Sequence, residues 1–472
     1  MPFFDPESLA EWSGGEWNRS PRNLVAGFSH DSRRIESGEM FIAVRAERNG
    51  HDFVGDAARL GASCAMVDHF VAECDLPQLK TPDVGEAFLR IAHMHRSNFE
   101  GKIVGVTGSC GKTSTKDALQ LLLGRETCLA TDGNFNNLLG VPLTLLRLEH
   151  SLHRQAVVEA GINQIGEMAK LAKTIAPDLT LVTMVASAHL EGLGSETKVA
   201  QEKSRLIKDS GTVKTAIFPE HCLRFDAFRE VKEGGAESLV LKYGNPTEEP
   251  PKGFLFFDTK TETYRVGDAA SLRLRRRGYP PLSFPLPLMS EGMISNCALA
   301  VVAALELGVS EDEIFERLPQ YKPSALRGKW LQGRGNFYYV DCYNANPASM
   351  LDAIRFFQRE AGDLPKLLTL GGMDELGDEG PRLHQETGSG INIGSSDKVL
   401  LVGEKAQWMM AGMLQSGIEK KSIESVADVL EAESLVSEFE GAVLLKGSRS
   451  NALETLVPDW ATEEGKMEYA GC

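Results

Sequence analysis

Ile103-Val104-Gly105-Val106-Thr107-Gly108-Ser109-Cys110-Gly111-Lys112-Thr113 opens on a short β-branched run, crosses two glycines and ends in Gly-Lys-Thr. The apolar run reads as a buried strand, and residues 113–123 read as the helix after it. Strand, tight loop and helix in this order make an anion cradle. Glycines let backbone N–H groups converge on a phosphate, and the helix N-terminus adds positive partial charge. Thr107, Gly108, Ser109, Cys110, Gly111 and Ser114 are the candidate lining. Lys112 would neutralise the β- and γ-phosphates of a nucleotide, and the Thr113 hydroxyl is placed for a magnesium ion. The strict pattern G-x-x-x-x-G-K-[ST] fails by one position, because residue 106 is Val. The reading therefore rests on the strand–loop–helix setting.

Outward from this loop, Ala156-Val157-Val158-Glu159-Ala160 and Leu179-Thr180-Leu181-Val182-Thr183 are further buried-type strands. Strands alternating with helices predict a parallel, doubly wound sheet. Residues 232–287 differ: they are rich in Gly, Pro and charge, with short alternating runs at 253–257 and 271–274. They predict an antiparallel insert or edge sheet, which a helix over 294–307 follows. On the N-terminal side, strands at 40–44 and 64–67 and helices at 53–60 and 84–97 predict a small α/β unit. Past a linker-like stretch at 323–328, strands at 337–341, 367–370, 399–402 and 442–445 predict another α/β unit of nucleotide-fold, Rossmann-like character, with a helix from Ala348. The expected fold class is α/β in three domains: 1–98, 99–322 and 323–472.

Length agrees, since 472 residues at roughly 150 per domain suggest about three. The net charge is 50 − 66 = −16 and the pI near 5.2. That balance argues against non-specific nucleic-acid or anionic-membrane binding. The apolar stretch 297–305 is too short to span a bilayer. Met1-Pro2-Phe3-Phe4-Asp5-Pro6-Glu7 has neither the basic nor the apolar region of a secretory signal. Eight scattered cysteines form no C-x-x-C pair, which argues against a zinc site or a disulfide framework. A cytoplasmic monomer is expected.

Further stretches carry a resemblance. Thr107-Gly108-x-x-Gly111-Lys112-Thr113, Thr131-Asp132-Gly133-Asn134-Phe135-Asn136-Asn137, Glu159-Ala160-Gly161-Ile162-Asn163, Gly166-Glu167-Met168 and His189-Leu190-Glu191-Gly192-Leu193-Gly194-Ser195 resemble the motifs of the Mur ligases and their folylpolyglutamate synthetase relatives. Asp341-Cys342-Tyr343-Asn344-Ala345-Asn346-Pro347 and Lys446-Gly447-Ser448-Arg449 are similar to the branch of that family that adds a dipeptide. So are Asp31-Ser32-Arg33 and Glu47-Arg48-Asn49-Gly50-His51-Asp52-Phe53. The resemblance runs in order from about residue 27 to about 455 and departs in three places. Gly292-Met293-Ile294-Ser295-Asn296-Cys297 keeps only the last Asn of the family's H-N-x-x-N-A. Gly371-Gly372-Met373-Asp374-Glu375-Leu376-Gly377 loses the first acid of G-D-M-x-E-L-G. Lys203-Ser204-Arg205 stands where K-x-E is usual.

The resemblance implies an ATP-dependent ligase that joins D-alanyl-D-alanine to UDP-N-acetylmuramoyl-tripeptide through an acyl phosphate, with ATP and Mg2+. Lys112, Glu159, His189 and Lys203 would be catalytic, and Thr113, Glu159, His189 and Lys203 would hold metal. Lys203 would act either as a carbamate, a carboxylate-like ligand, or unmodified against phosphate. Asn296, Arg327 and Asp341 would complete the ATP site. Ser29, Asp31, Ser32, Arg33, Asn49, His51, Asn136 and Asn137 would meet the UDP-substrate, and Asn344, Asn346, Lys446 and Arg449 the dipeptide. The competing readings are another Mur-type or folylpolyglutamate-type ligase, and a nucleotide-binding relative without catalysis. Asp31-Ser32-Arg33 argues against folate, and the Tyr343-Asn344-Ala345-Asn346-Pro347 turn against addition of single amino acids.

Overall fold

The computed structural model describes residues 2–262 and 269–462. Five short strands come first: β1 (Glu16–Trp17), β2 (Phe28–Ser29), β3 (Met40–Ile42), β4 (Cys64–Val67) and β5 (Gln78–Lys80). Their order is β1-β5-β4-β3-β2, parallel except where β1 meets β5. The helix Val84–Ser97 buries Phe88 and Ile91 against this sheet's core and is N-capped by Asp83. Its last turn reaches into the next unit. His95 Nε2 donates to the Leu148 carbonyl at 2.9 Å, and the Arg96 guanidinium donates to Ile175 O, Ala176 O and Asp178 Oδ2.

Nine strands form the central sheet: β6 (Lys102–Thr107), β7 (Cys128–Ala130), β8 (Gln155–Glu159), β9 (Leu179–Val182), β10 (Thr215–Pro219), β11 (Glu237–Tyr243), β12 (Phe254–Glu262), β13 (Ala269–Arg276) and β14 (Leu282–Leu286). The order is β14-β13-β12-β11-β10-β9-β6-β8-β7. The phosphate-loop strand β6 lies parallel between β8 and β9, with Val104 opposite Val157 on one side and Leu179 on the other. Ile103, Val104 and Val106 are fully buried, as a strand covered on both faces requires. The helices Lys112–Leu123 and Glu291–Glu306 pack together on one face of it.

The Gly- and Pro-rich segment is only partly antiparallel. β11 runs parallel to both β10 and β12, so the parallel sheet continues into it; β12, β13 and β14 are then antiparallel. Leu239, Val240 and Leu241 are buried along β11, which suits a strand covered on both faces. Charged residues lie within these strands as well as in the connections: Arg273 of β13 pairs with Asp258 opposite it on β12. Residues 263–268 of this segment lie outside the described residues.

Past the linker stretch, β15 (Lys329–Gly333), β16 (Asn336–Asp341), β17 (Lys366–Gly371), β18 (Lys398–Val402), β19 (Ile423–Val426) and β20 (Ala442–Lys446) form a third sheet. Its order is β15-β16-β20-β17-β18-β19, parallel except where β15 meets β16. At its entrance Gly328 has φ 74°, and a Cβ there would lie 2.8 Å from the Tyr339 hydroxyl. Only glycine fits that turn.

Candidate nucleotide and ligase site

The phosphate loop ends in left-handed Gly111 (φ 82°), which starts the helix at Lys112. A Cβ at Gly111 would lie 2.4 Å from Asn296 Oδ1, so the surviving Asn of the H-N-x-x-N-A stretch rests directly on the loop. Thr107 Oγ1 donates to Ala160 O, and Ser109 Oγ to Ala186 O at 2.9 Å. Thr183 Oγ1 donates to the Cys110 carbonyl. These bonds tie the loop to the ends of β8 and β9. Cys110 Sγ lies 3.2 Å from Met184 Sδ, and burial raises its thiol pKa.

A cavity of about 650 Å³ opens between the phosphate loop and the C-terminal sheet. Lys112, Thr113, Asn296 and His189 line it from the central side; Arg327 of the linker and Asp341, Asn344 and Asn346 line it from the other. Lys112 Nζ donates to Gly108 O at 2.8 Å, and burial lowers its pKa while the Glu159 charge opposes that shift.

Glu159 and Lys203 are both 0 % exposed. Asn136 Nδ2 donates to Glu159 Oε2 at 3.3 Å, but among the described residues Glu159 Oε1 has no hydrogen-bond partner. Lys203 Nζ has none either. Burial, and then the charge of nearby Lys112, push the Lys203 ammonium well below its usual pKa. Buried polar atoms in native proteins are nearly all paired. An orphan carboxylate oxygen and an orphan amine beside a phosphate loop are therefore what a bound cation, or a modified lysine, would satisfy. Thr113, Glu159 and His189 are an oxygen- and nitrogen-donor set that could hold magnesium with phosphate oxygens. Arg205, in place of the usual acid, pairs with Glu202 at 3.1 Å and Asp209 at 2.7 Å along its own helix.

His189 sits at φ 54°, and its Nδ1 lies 2.6 Å from Glu375 Oε2. Sequence reasoning overlooked Glu375 as a site residue. It also overlooked Asp352, whose carboxylate accepts from Gly292 N at 3.2 Å, where the family's histidine is missing. Both are long-range contacts that no local spacing encodes.

The remaining predicted residues divide. Lys446 Nζ is paired with Asp341 Oδ2 at 2.8 Å and donates to Asn344 O at 2.9 Å, so the three form one cluster at the ends of β16 and β20. Asn346 caps the helix Pro347–Ala361 through a reciprocal box with Ser349, and Arg327 stacks its guanidinium 4.0 Å from the Tyr343 ring centre. Arg449 is paired with Glu454 and is not among the residues lining the cavity. Asn137 Oδ1 accepts from Leu139 N and Gly140 N, a turn-forming role.

In the first sheet unit, Asp31 accepts from the Arg33 backbone and from its guanidinium at 2.9 and 2.8 Å, and this pairing lowers its pKa to about 2. Ser29 Oγ donates to Asp31 O, and Ser32 opens the short helical turn Ser32–Arg34. Asn49 Oδ1 accepts from His51 Nδ1 at 2.9 Å, and His51 Nε2 accepts from Asp68 N at 3.0 Å. Both of these predicted ligands are thus already held in a partly buried hydrogen-bond network. None of these residues lines the 650 Å³ cavity.

Among the described residues no helix is long and apolar enough to cross a membrane. Family models match on both sides of the cavity: "Mur ligase middle domain" over residues 106–304 and "Mur ligase, glutamate ligase domain" over 326–449. The chain is 31% identical over 431 residues to the UDP-N-acetylmuramoyl-tripeptide–D-alanyl-D-alanine ligase of Escherichia coli (strain K12), covering 90% of this chain and 92% of that one. It superposes on crystal structure I of MurF from Acinetobacter baumannii with TM-score 0.84, at 27% identity and over 97% and 98% of the two chains. The MurF ligase of Thermotoga maritima in complex with ADP gives TM-score 0.76, at 26% identity and over 92% and 96%. Matched by both family models and 31% identical to the Escherichia coli enzyme over 90% of its own length, the chain belongs to the Mur ligase family.

Proposed function

We propose that the protein is an ATP-dependent ligase that joins D-alanyl-D-alanine to UDP-N-acetylmuramoyl-tripeptide in peptidoglycan precursor synthesis. It works as a cytoplasmic monomer whose domains span residues 1–98, 99–322 and 323–472. One observation carries the reading: Glu159 and Lys203, buried without full partners, stand beside the phosphate-loop lysine. That site suits a reaction that brings two anions, a carboxylate and a γ-phosphate, together.

Amide formation from a carboxylate is uphill in water. The γ-phosphoryl group passes to the substrate carboxylate, forming a C(O)O–P bond as the β–γ bridging bond breaks and ADP leaves. The dipeptide amine then attacks the carbonyl; the C–N bond forms, the C–O bond breaks and phosphate departs. Lys112 and the loop amides orient the phosphates, and positioning supplies much of the rate. Thr113, Glu159, His189 and a carbamylated Lys203 would hold Mg2+, which would supply positive charge to offset the repulsion between the two anions. Burial pushes the Lys203 ammonium well below its usual pKa, which favours the neutral amine, the form that adds carbon dioxide to become a carbamate, a carboxylate-like ligand.

Asn296, Arg327 and Asp341 surround the nucleotide. Asn344, Asn346, Lys446 and Arg449 take the dipeptide side. Ser29, Asp31, Ser32, Arg33, Asn49 and His51 hold the UDP moiety, with Asn136 and Asn137 nearer the reacting carboxylate. Phosphate release tests the reading. It is expected only when ATP, UDP-N-acetylmuramoyl-tripeptide and D-alanyl-D-alanine are all present. Equal turnover with a single amino acid or a folate substrate, or none with any of them, would overturn it.

A further inference from the structure

Two loops from different sheets meet at one point. His189 follows β9 of the central sheet, and Glu375 follows β17 of the C-terminal sheet. The imidazole Nδ1 and carboxylate Oε2 are 2.6 Å apart. Both residues have left-handed backbone, φ 54° and 63°. Non-glycine residues adopt that conformation rarely, and mostly where their surroundings impose it. The loops are also clasped by main chain. Glu191 N donates to Glu375 O at 3.4 Å, and a Cβ on Gly377 would lie 3.1 Å from Glu191 Cα. Among the described residues, His189 is the only ion-pair partner of Glu375.

We propose that Glu375 is a positioning residue for His189, supplied across the junction between the two sheet units. Its carboxylate takes the Nδ1–H, which leaves Nε2 as the nitrogen with a lone pair for a divalent cation. Histidines that bind metals commonly donate their other ring N–H to a carboxylate, which fixes the tautomer and raises ligand basicity. Here the orienting carboxylate belongs to a different sheet unit from the ligand. The cation site is therefore complete only when the central and C-terminal units are apposed. The proposal rests on the reading of His189 as a cation ligand.

The test uses the full chain, Mn2+ as probe and a non-hydrolysable ATP analogue. Free Mn2+ is followed by electron paramagnetic resonance, and the ring nitrogens of His189 by 15N chemical shifts assigned with His189→Ala. Glu375→Ala is expected to weaken Mn2+ binding by roughly tenfold to a hundredfold, the usual effect of losing such an orienting partner. It should also turn a pure Nδ1–H signature into a mixture of tautomers. Glu375→Gln keeps an acceptor oxygen and the residue's shape, so it serves if the alanine variant fails to fold. It is expected to keep the tautomer and to lose Mn2+ affinity severalfold. Wild-type Mn2+ affinity and unchanged ring signals in folded Glu375→Ala, or wild-type affinity in Glu375→Gln where only that variant folds, would overturn the proposal while His189→Ala still loses the ion. Wild-type binding in His189→Ala would instead overturn the cation reading itself.

Discussion

Lys112 folds back over its own loop and donates a hydrogen bond to the Gly108 carbonyl at 2.8 Å. The ammonium proposed to meet the nucleotide phosphates is therefore held by the strand end it follows. Phosphate oxygens are stronger acceptors than a neutral carbonyl. Lys112→Ala is accordingly expected to abolish ATP turnover and leave the fold intact. Near-normal phosphate release from a folded variant would remove the loop from the reaction.

Lys203 separates stability from activity. Its amine is buried without a partner, and such a group costs about 1–3 kcal/mol. Lys203→Met keeps the volume and removes that cost, so it should melt at or above the wild-type temperature while losing nearly all activity. Lys203→Ala should be nearly inactive too, and added short carboxylic acids or millimolar bicarbonate should restore part of it, since an anion can stand in for a carbamate. A folded Lys203→Ala enzyme that no anion rescues would speak for the unmodified amine.

Asp31 and Arg33 lie in the first sheet unit, away from the residues that line the nucleotide cavity. Alanine at either position should weaken binding of the UDP-substrate more than binding of ATP. Calorimetry with the UDP-muramoyl peptide reads the difference. Unchanged affinity in both variants would move the uridine site elsewhere.

His95 joins the first unit to the second through Leu148 O, and burial lowers its pKa from 6.5 to about 4. The folded protein holds it neutral, while the unfolded chain protonates near pH 6.5. Its contribution is thus fully present above pH 6.5 and is lost as pH falls towards 4. Linkage puts the loss at roughly 2 to 3 kcal/mol between pH 6.5 and 4.5. His95→Gln keeps a donor for Leu148 and cannot titrate, so its melting temperature should fall less over that range. Parallel melting curves for the two proteins would show that His95 does not couple stability to pH.

Much of this protein was legible as sequence because the signals are local. A β-branched run, two glycines and Gly-Lys-Thr specify a strand, a turn and a helix start by backbone sterics and hydrogen bonding alone. The helix Val84–Ser97 could be read from its apolar spacing. The alternating runs at 253–257 and 271–274 indicate the antiparallel edge that β12 and β13 form, while the parallel pairing of β11 before them shows only in the tertiary structure. Tertiary structure alone decided which charges neutralise one another and which are left over. It pairs Lys446 with Asp341 and Arg449 with Glu454, gives Glu375 to His189, and buries Lys203 with no partner among the described residues. Those outcomes depend on how strands distant in sequence are ordered in two sheets and how the sheets face each other. Electrostatic and desolvation energies depend on distance and burial, which spacing along the chain does not fix.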